Sequence, residues 1–423
     1  MSQTPFSTPF AISSEAGGLW IGPADNPSSR TRLHLKGANW AGFQADGCPF
    51  RAPGAHLSDH VDFLVQHSFN AVRLALSAAW VNGNWLASSA CAEYAGMPTL
   101  AVLDDTLGHL RDAGIFAVLD IHTVEYPESN SGLWCGNAST CTTATEAPLF
   151  GAWQTLAERY GPLSSAFPNV IGADLFHEPF LGTWGVGEES GRWDLAATRL
   201  GNQILRTSPG WLIFVSGVAT HGGGWSTCGP DGCSSWAENV QGQLSAPLNL
   251  SDTTRLVLSP HVYGHGSQSY MLDESYPDNM PPIWHRLWGR VSSSTGHAVI
   301  LGEYARMHMC TYAVHMRVPY IRAYAPVTPS SSESTRACTC AHACAICTCI
   351  CTGYAVLTLT LTITHTLTIT HTLTLTLTLT LTLTLTLTLT QVPASEAPRV
   401  ALSRASTAPR SATRARPCTS CSP

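Results

Sequence analysis

Residues 169–180 read NVIGADLFHEPF, an apolar run that ends abruptly in His177-Glu178-Pro179. The run is apolar at successive positions, not alternate ones, which suits a strand buried on both faces of a parallel sheet. A charged residue directly after such a strand is costly unless it has a partner or a task. Six further runs share the pattern: RLHLKG (32–37), NAVRLAL (70–76), IFAVLDI (115–121), WLIFVSG (211–217), RLVLSPH (255–261) and HAVILGE (297–303). Helical spacing fills the gaps, as with Leu100, Leu103, Leu107 and Leu110 after Pro98, or Leu57, Val61, Leu64 and Val65. Strand and helix alternating seven times, at intervals of about 40 residues, is the rhythm of a (β/α)8 TIM barrel in the α/β class. An open doubly wound sheet is the alternative. It calls for a glycine-rich phosphate turn after the first strand, where this chain has GANWAGFQ.

The pattern stops after GEYARMHMC (302–310), so strand eight has no counterpart. The chain continues with CTCAHACAICTCICTG (338–353) and then an unbroken Leu/Thr alternation from 357 to 390, interrupted only by Ile and His. Leu, Ile and His codons are near neighbours, and Thr fills every second place, as a translated nucleotide repeat would give. The chain therefore divides into an N-terminal segment (1–30), a barrel domain (31–306) and a low-complexity tail (307–423) read as translated intron or frameshift. A stalk or glycosylated linker is the alternative for the tail, but such segments carry Pro and Ser throughout.

The 423 residues carry 22 Lys and Arg against 28 Asp and Glu, a net charge of -6, with no basic cluster. That balance speaks against nucleic acid as a partner. No stretch of about 20 apolar residues marks a membrane span, and the chain reads as a monomer. The first residues lack the basic start and apolar core of a signal peptide. Cysteine usage points the other way. Cys48, Cys91, Cys135, Cys141, Cys228 and Cys233 precede residue 306, two pairs of them locally spaced in CGNASTC and CGPDGC. Such pairs read as disulfides formed in the secretory pathway or outside the cell. Free thiols or a metal site are the alternatives.

In a barrel the chemistry sits at the carboxyl ends of the strands. Those ends carry Asn39 and Trp40, Arg73, Asp120 and His122, His177 and Glu178, His261 and Tyr263, and Glu303. Arg73 lies inside an apolar strand and needs a carboxylate. Glu178 and Glu303 end strands four and seven, which face each other across the barrel mouth. Two facing carboxyls are what glycoside hydrolysis requires, one protonated to serve the leaving oxygen and one ionised to attack the sugar. On that reading Glu178 has the higher pKa of the two. Trp40, Trp80, Trp85, Trp134, Trp184, Trp225 and Trp236 come soon after strand ends and offer faces on which sugar rings stack.

With these segments in view, the chain resembles glycoside hydrolase family 5, the cellulase family, over about residues 32–305. The motifs are LKGANWAGFQ, FNAVRLALS, AVLDIHT, HVYG and ILGEYA. The resemblance implies Glu178 as acid/base, Glu303 as nucleophile, and Arg73, His122, His261 and Tyr263 in support. It implies a retaining enzyme, endo-β-1,4-glucanase-like, acting on a β-glucan without a cofactor or metal. His177 departs from the family pattern, which has Asn before the acid/base Glu to bind the sugar 2-hydroxyl. Two alternatives stand beside this reading: a carbohydrate-binding pseudoenzyme, and a metal-dependent barrel hydrolase using His122, His177 and His261.

Overall fold

The computed structural model describes residue 6 and residues 8–50, 56–127, 132–161, 166–219, 234–264, 269–271, 273–306 and 321–323. One folded unit spans Met1–Thr328; Pro329–Pro423, the second, holds no described residue. The tail of 307–423 thus lies outside the described residues, apart from Ile321–Ala323.

Strands β1 (Phe10–Glu15), β2 (Gly18–Pro23) and β3 (Thr31–Leu33) form an antiparallel sheet. The barrel sheet holds β4 (Gly37–Trp40), β5 (Ala71–Ser77), β6 (Phe116–Thr123), β7 (Val170–Asp174), β8 (Leu212–Val215), β9 (Leu256–Leu258) and β11 (Ala298–Val299). These seven are parallel and neighbour one another in chain order. Past β9 and β11 the two chains pair again, as β10 (His261–Gly264) and β12 (Glu303–Arg306). Among the described residues no eighth parallel strand is present. The three residues of β13 (Ile321–Ala323) pair antiparallel with β4 at the edge where it would lie. The helices are α1 (Phe43–Asp46), α2 (Leu57–Gln66), α3 (Ala78–Gly83), α4 (Thr99–Asp112), α5 (Thr143–Tyr160), α6 (Trp193–Thr207), α7 (Met280–Trp284) and α8 (Arg290–Thr295). In α4, Leu103, Leu107 and Leu110 are fully buried, as their spacing predicts.

The first barrel strand begins later than the sequence suggests. RLHLKG divides: Thr31–Leu33 pairs with β2, and the barrel strand starts at Gly37. Between them the side chain of Asn70 replaces the ladder, accepting from Lys36 N–H at 2.7 Å and donating to His34 C=O at 2.8 Å. The sixth and seventh runs are each broken in two. Pro260, which has no N–H to give, sits at one break.

Alternation along the strands sorts the core into two. Val72, Leu74, Leu76, Ala117, Leu119, Ile121, Ile213 and Val215 face outward and join the helix side chains. Ala71, Phe116, Val118, Ile171, Leu212, Phe214, Val257 and Ala298 face inward and fill the lower barrel. Ile12 and Leu19 of the N-terminal hairpin pack into that inner cluster from below. Further along the strands the inward positions turn polar, with Arg73 two residues beyond Ala71, and Asp120 and His122 continuing from Phe116 and Val118. The same periodicity of two that builds an apolar floor therefore delivers charged groups to the upper end.

The structure holds the disulfides Cys135–Cys141, in the local loop, and Cys48–Cys91, which joins the loops after β4 and β5. Cys228 and Cys233 lie outside the described residues.

Candidate active site

Arg73 is the hub. Its side chain is 1% exposed and reaches three carboxylates: Asp174 at 2.8 Å, Asp120 at 2.9 Å and Glu303 at 3.1 Å. Its Nη1 also donates to Asn39 Oδ1 at 3.1 Å, and Asn39 Nδ2 donates to the carbonyl of Gly302 at 2.9 Å. Strand register sets these contacts: Asn39 lies opposite Arg73, and His261 opposite Glu303. A buried guanidinium with this many acceptors is fixed in place, and removing a partner would leave uncompensated charge at about 3–5 kcal/mol. Asp174 is a site residue that the sequence reading misses, although a carboxylate inside NVIGADLF is the available signal. Burial pushes its pKa up, against the pull of Arg73, to about 6.

Glu178 and Glu303 meet above this hub. One side-chain ligand atom from each of His177, Glu178, His261 and Glu303 lies within 4.8 Å of the others. One oxygen of each carboxyl therefore lies within 4.8 Å of the other, which is compatible with the roughly 5–5.5 Å of a retaining pair. Tyr263 donates its hydroxyl to Glu303 Oε2. His261 Nδ1 lies 3.0 Å from Glu178 Oε1, and His177 Nε2 lies 3.4 Å from Glu178 Oε2. His122 is held by Asp120 at 2.8 Å, and its ring stacks on His177 at 3.5 Å between centroids.

Glu178 has a backbone φ of +49°, left-handed for a residue with a side chain, and it precedes a proline. Such a conformation costs on the order of 1–3 kcal/mol and persists where neighbours over-determine it. Here His177 N–H donates to Ile121 C=O at 3.0 Å, and Phe180 N–H to Glu178 C=O at 2.7 Å.

Three expectations need correction. Trp40 is not at the site. Asn39 and Trp40 are consecutive in β4, so they face opposite ways; Trp40 packs in the outer core and stacks on His60 at 5.6 Å. The three histidines do not gather into one metal-sized cluster among the described residues: His177 joins His261 in one group and His122 in another. Nor does Glu178 carry a raised pKa in the free site. Burial raises it, but His177 and His261 pull further the other way, to about 2. His177 itself is lowered to about 4 by burial and by His122. Of the other tryptophans, Trp80, Trp134 and Trp184 are buried and Trp225 lies outside the described residues. Trp85 and Trp236 are exposed, and Trp236 stacks on Phe180 at 4.1 Å.

A parallel barrel with a buried arginine hub and two facing carboxylates at its upper end has the architecture of the barrel glycoside hydrolases. The chain belongs to glycosyl hydrolase family 5, the cellulase family, whose model matches residues 32–326. It is 33% identical over 282 residues to the major extracellular endoglucanase of Xanthomonas campestris pv. campestris, covering 64% of this chain and 54% of that protein. It is 31% identical over 280 residues to an endoglucanase of Paenibacillus polymyxa, covering 64% and 66%. The chain therefore spans between about half and two thirds of the length of these curated relatives. Among solved structures it resembles a cellotetraose complex of a Pyrococcus horikoshii endocellulase variant. That match has 28% identity and a TM-score of 0.61 over 72% of this chain and 82% of the other. The catalytic domain of the Xanthomonas enzyme matches with 33% identity and a TM-score of 0.53 over 65% and 77%.

Proposed function

We propose that the protein is a retaining endo-β-1,4-glucanase, acting outside the cell as a monomer, with Glu303 as nucleophile and Glu178 as acid/base. The observation that carries the proposal is that an oxygen of Glu178 and an oxygen of Glu303 lie within 4.8 Å of each other in a family 5 barrel. The names of the relatives, endoglucanases and an endocellulase bound to cellotetraose, support the substrate class, and the disulfides support the compartment.

Arg73 and Tyr263 each hold an oxygen of Glu303, aiming it at the anomeric carbon. Glu303 attacks, the glycosidic bond breaks, and Glu178 gives its proton to the departing oxygen. Water then enters, Glu178 takes its proton, and the glycosyl–Glu303 ester is hydrolysed with overall retention. In the free site the ring N–H groups of His177 and His261 favour the ionised Glu178. A bound glycan excludes water, and burial, the first influence on this carboxyl, acts upward. Glycan binding therefore moves Glu178 toward the neutral acid.

The test is the full chain on soluble β-1,4-glucan, with NMR of the first-formed product. β-Configured reducing ends, and a loss of roughly 10⁴-fold or more in Glu303→Gln with an unchanged fold, are expected. α-Configured product or an active Glu303→Gln would overturn the assignment. Binding without cleavage in the parent chain would favour a carbohydrate-binding role.

A further inference from the structure

We infer that His177, Glu178, His261 and Glu303 form a binding site for one divalent transition-metal ion of the zinc type, and that the ion and a glycan compete for it. The inhibitory part rests on the glycanase proposal; the binding part does not.

The four residues supply two imidazoles and two carboxylates, all buried, which is a donor set suited to Zn²⁺ rather than to Mg²⁺ or Ca²⁺. Zinc bound at about 2.0–2.1 Å to four tetrahedral ligands puts those ligands about 3.3–3.4 Å apart. Here one ligand atom from each of the four residues lies within 4.8 Å of the others, and His261 Nδ1 is 3.0 Å from Glu178 Oε1 and 3.9 Å from Glu303 Oε2. Closing onto one ion therefore needs side-chain movements of up to about 1.4 Å, and the stacking of His177 on His122 already fixes one ring plane.

The ring nitrogens are available. His177 Nε2 faces Glu178, while its Nδ1 is 3.5 Å from Arg73 Nη2, too long to commit a tautomer. His261 Nδ1 faces both glutamates. Its Nε2 is buried with no hydrogen-bond partner among the described residues, so the Nδ1 proton is the one given to Glu178 at 3.0 Å, and a bound ion takes the place of that proton. Arg73 opposes the ion, but it is paired to Asp120 and Asp174 and to Glu303 Oε1 at 3.1 Å, so the ion meets Glu303 at Oε2, in place of the Tyr263 hydroxyl. The carboxylates around it outnumber it, leaving the pocket attractive to a cation.

His177 decides the matter. An Asn in its place, the family's residue at this position, would leave one imidazole and two carboxylates, a much weaker set for zinc. A coordinated Glu303 cannot attack, and a coordinated Glu178 cannot carry a proton, so the metal-bound form is inactive.

The experiment uses the metal-free full chain and Co²⁺ as the probe, then Zn²⁺ by calorimetric competition, each compared with His177→Asn and Glu303→Gln. Expected is one equivalent of Co²⁺ with a tetrahedral visible spectrum lacking thiolate charge transfer, lost or weakened at least tenfold in both variants. Sites elsewhere, the cysteine-rich run at 338–351 included, are common to all three proteins and cancel in the difference. Soluble glucan should weaken metal binding, and Zn²⁺ should inhibit the parent chain reversibly on chelation, with His177→Asn resisting when each protein is scored against its own metal-free rate. Equal Co²⁺ affinity in parent and His177→Asn would overturn the site, as would the absence of the tetrahedral spectrum. Bound metal that glucan does not displace would overturn the competition. A chain that binds Co²⁺ through His177 yet cleaves no glucan would refute the glycanase proposal and leave the metal site standing.

Discussion

Glu178 shows what a single residue contributes that its neighbours cannot. Its left-handed backbone turns the carboxyl back over the barrel between His177 and His261. If it is the acid/base, Glu178→Ala should lose about 10²–10⁴-fold on substrates with poor leaving groups. Aryl glycosides with activated leaving groups need little protonation and should still form the glycosyl ester with Glu303. Azide can then enter where the carboxyl was, and the product should be a β-glycosyl azide. An α-azide, or equal loss on both substrate kinds with no azide effect, would remove Glu178 from the role. Both glutamates are legible because each comes after an apolar strand and so declares itself as a charge at a strand end. Trp40 misleads because one step along a strand reverses the face. The pKa of Glu178 is beyond the sequence, since it depends on two rings brought from 83 residues away and from next door.

At the scale of elements, strand existence is legible and strand limits are not. Apolar runs give the first, but the second depends on side chains such as Asn70 that stand in for a ladder. The loop after β8 supplies a further device that sequence does not reveal. Glu238 is buried, accepts from Tyr270 at 2.5 Å and from Ser235 N–H at 3.1 Å on one oxygen, and has no partner on the other among the described residues. Burial pushes its pKa up to about 7. A carboxyl raised in the folded state binds a proton that the unfolded chain has already released, so stability falls as pH rises between about 4.5 and 7. Glu238→Gln removes that slope. It should leave stability at pH 5 nearly unchanged and raise it at pH 8, by an amount on the order of 3 kcal/mol at most. Thermal melts at the two pH values check this; equal shifts at both would mean that Glu238 does not titrate in the folded protein.

At the scale of the molecule, composition marks where the strand–helix rhythm ends, and the family match runs on to residue 326. We propose that the repeat-like residues beyond are translated intron or frameshift. Sequencing the spliced transcript tests this: a continuous reading frame through 357–390 in mature message, with the peptide found in the cell, would refute it. The other end of the molecule is the less legible. Residues 1–30 carry little periodicity, and nothing in them signals that they meet the barrel. Yet a barrel lined below with Phe116, Ile171, Leu212 and Phe214 has an apolar floor that water would otherwise reach. The β1–β2 hairpin covers it with Ile12 and Leu19, 3% and 1% exposed. Ser14 Oγ accepts from Ala298 N–H at 2.8 Å, and Arg255 Nη1 reaches Ile12 C=O at 2.5 Å, tying the hairpin to the ends of β11 and β9. Leu19→Ala removes a fully buried side chain from a site with little freedom to collapse, since the strands around it are fixed by their ladder. It should cost about 2–5 kcal/mol. The loss should appear as a lower denaturation midpoint with an unchanged slope, and with KM for soluble glucan preserved under native conditions, because the candidate site lies at the opposite end of the strands. A change of less than about 0.5 kcal/mol would mean that the hairpin only rests on the barrel and does not seal it.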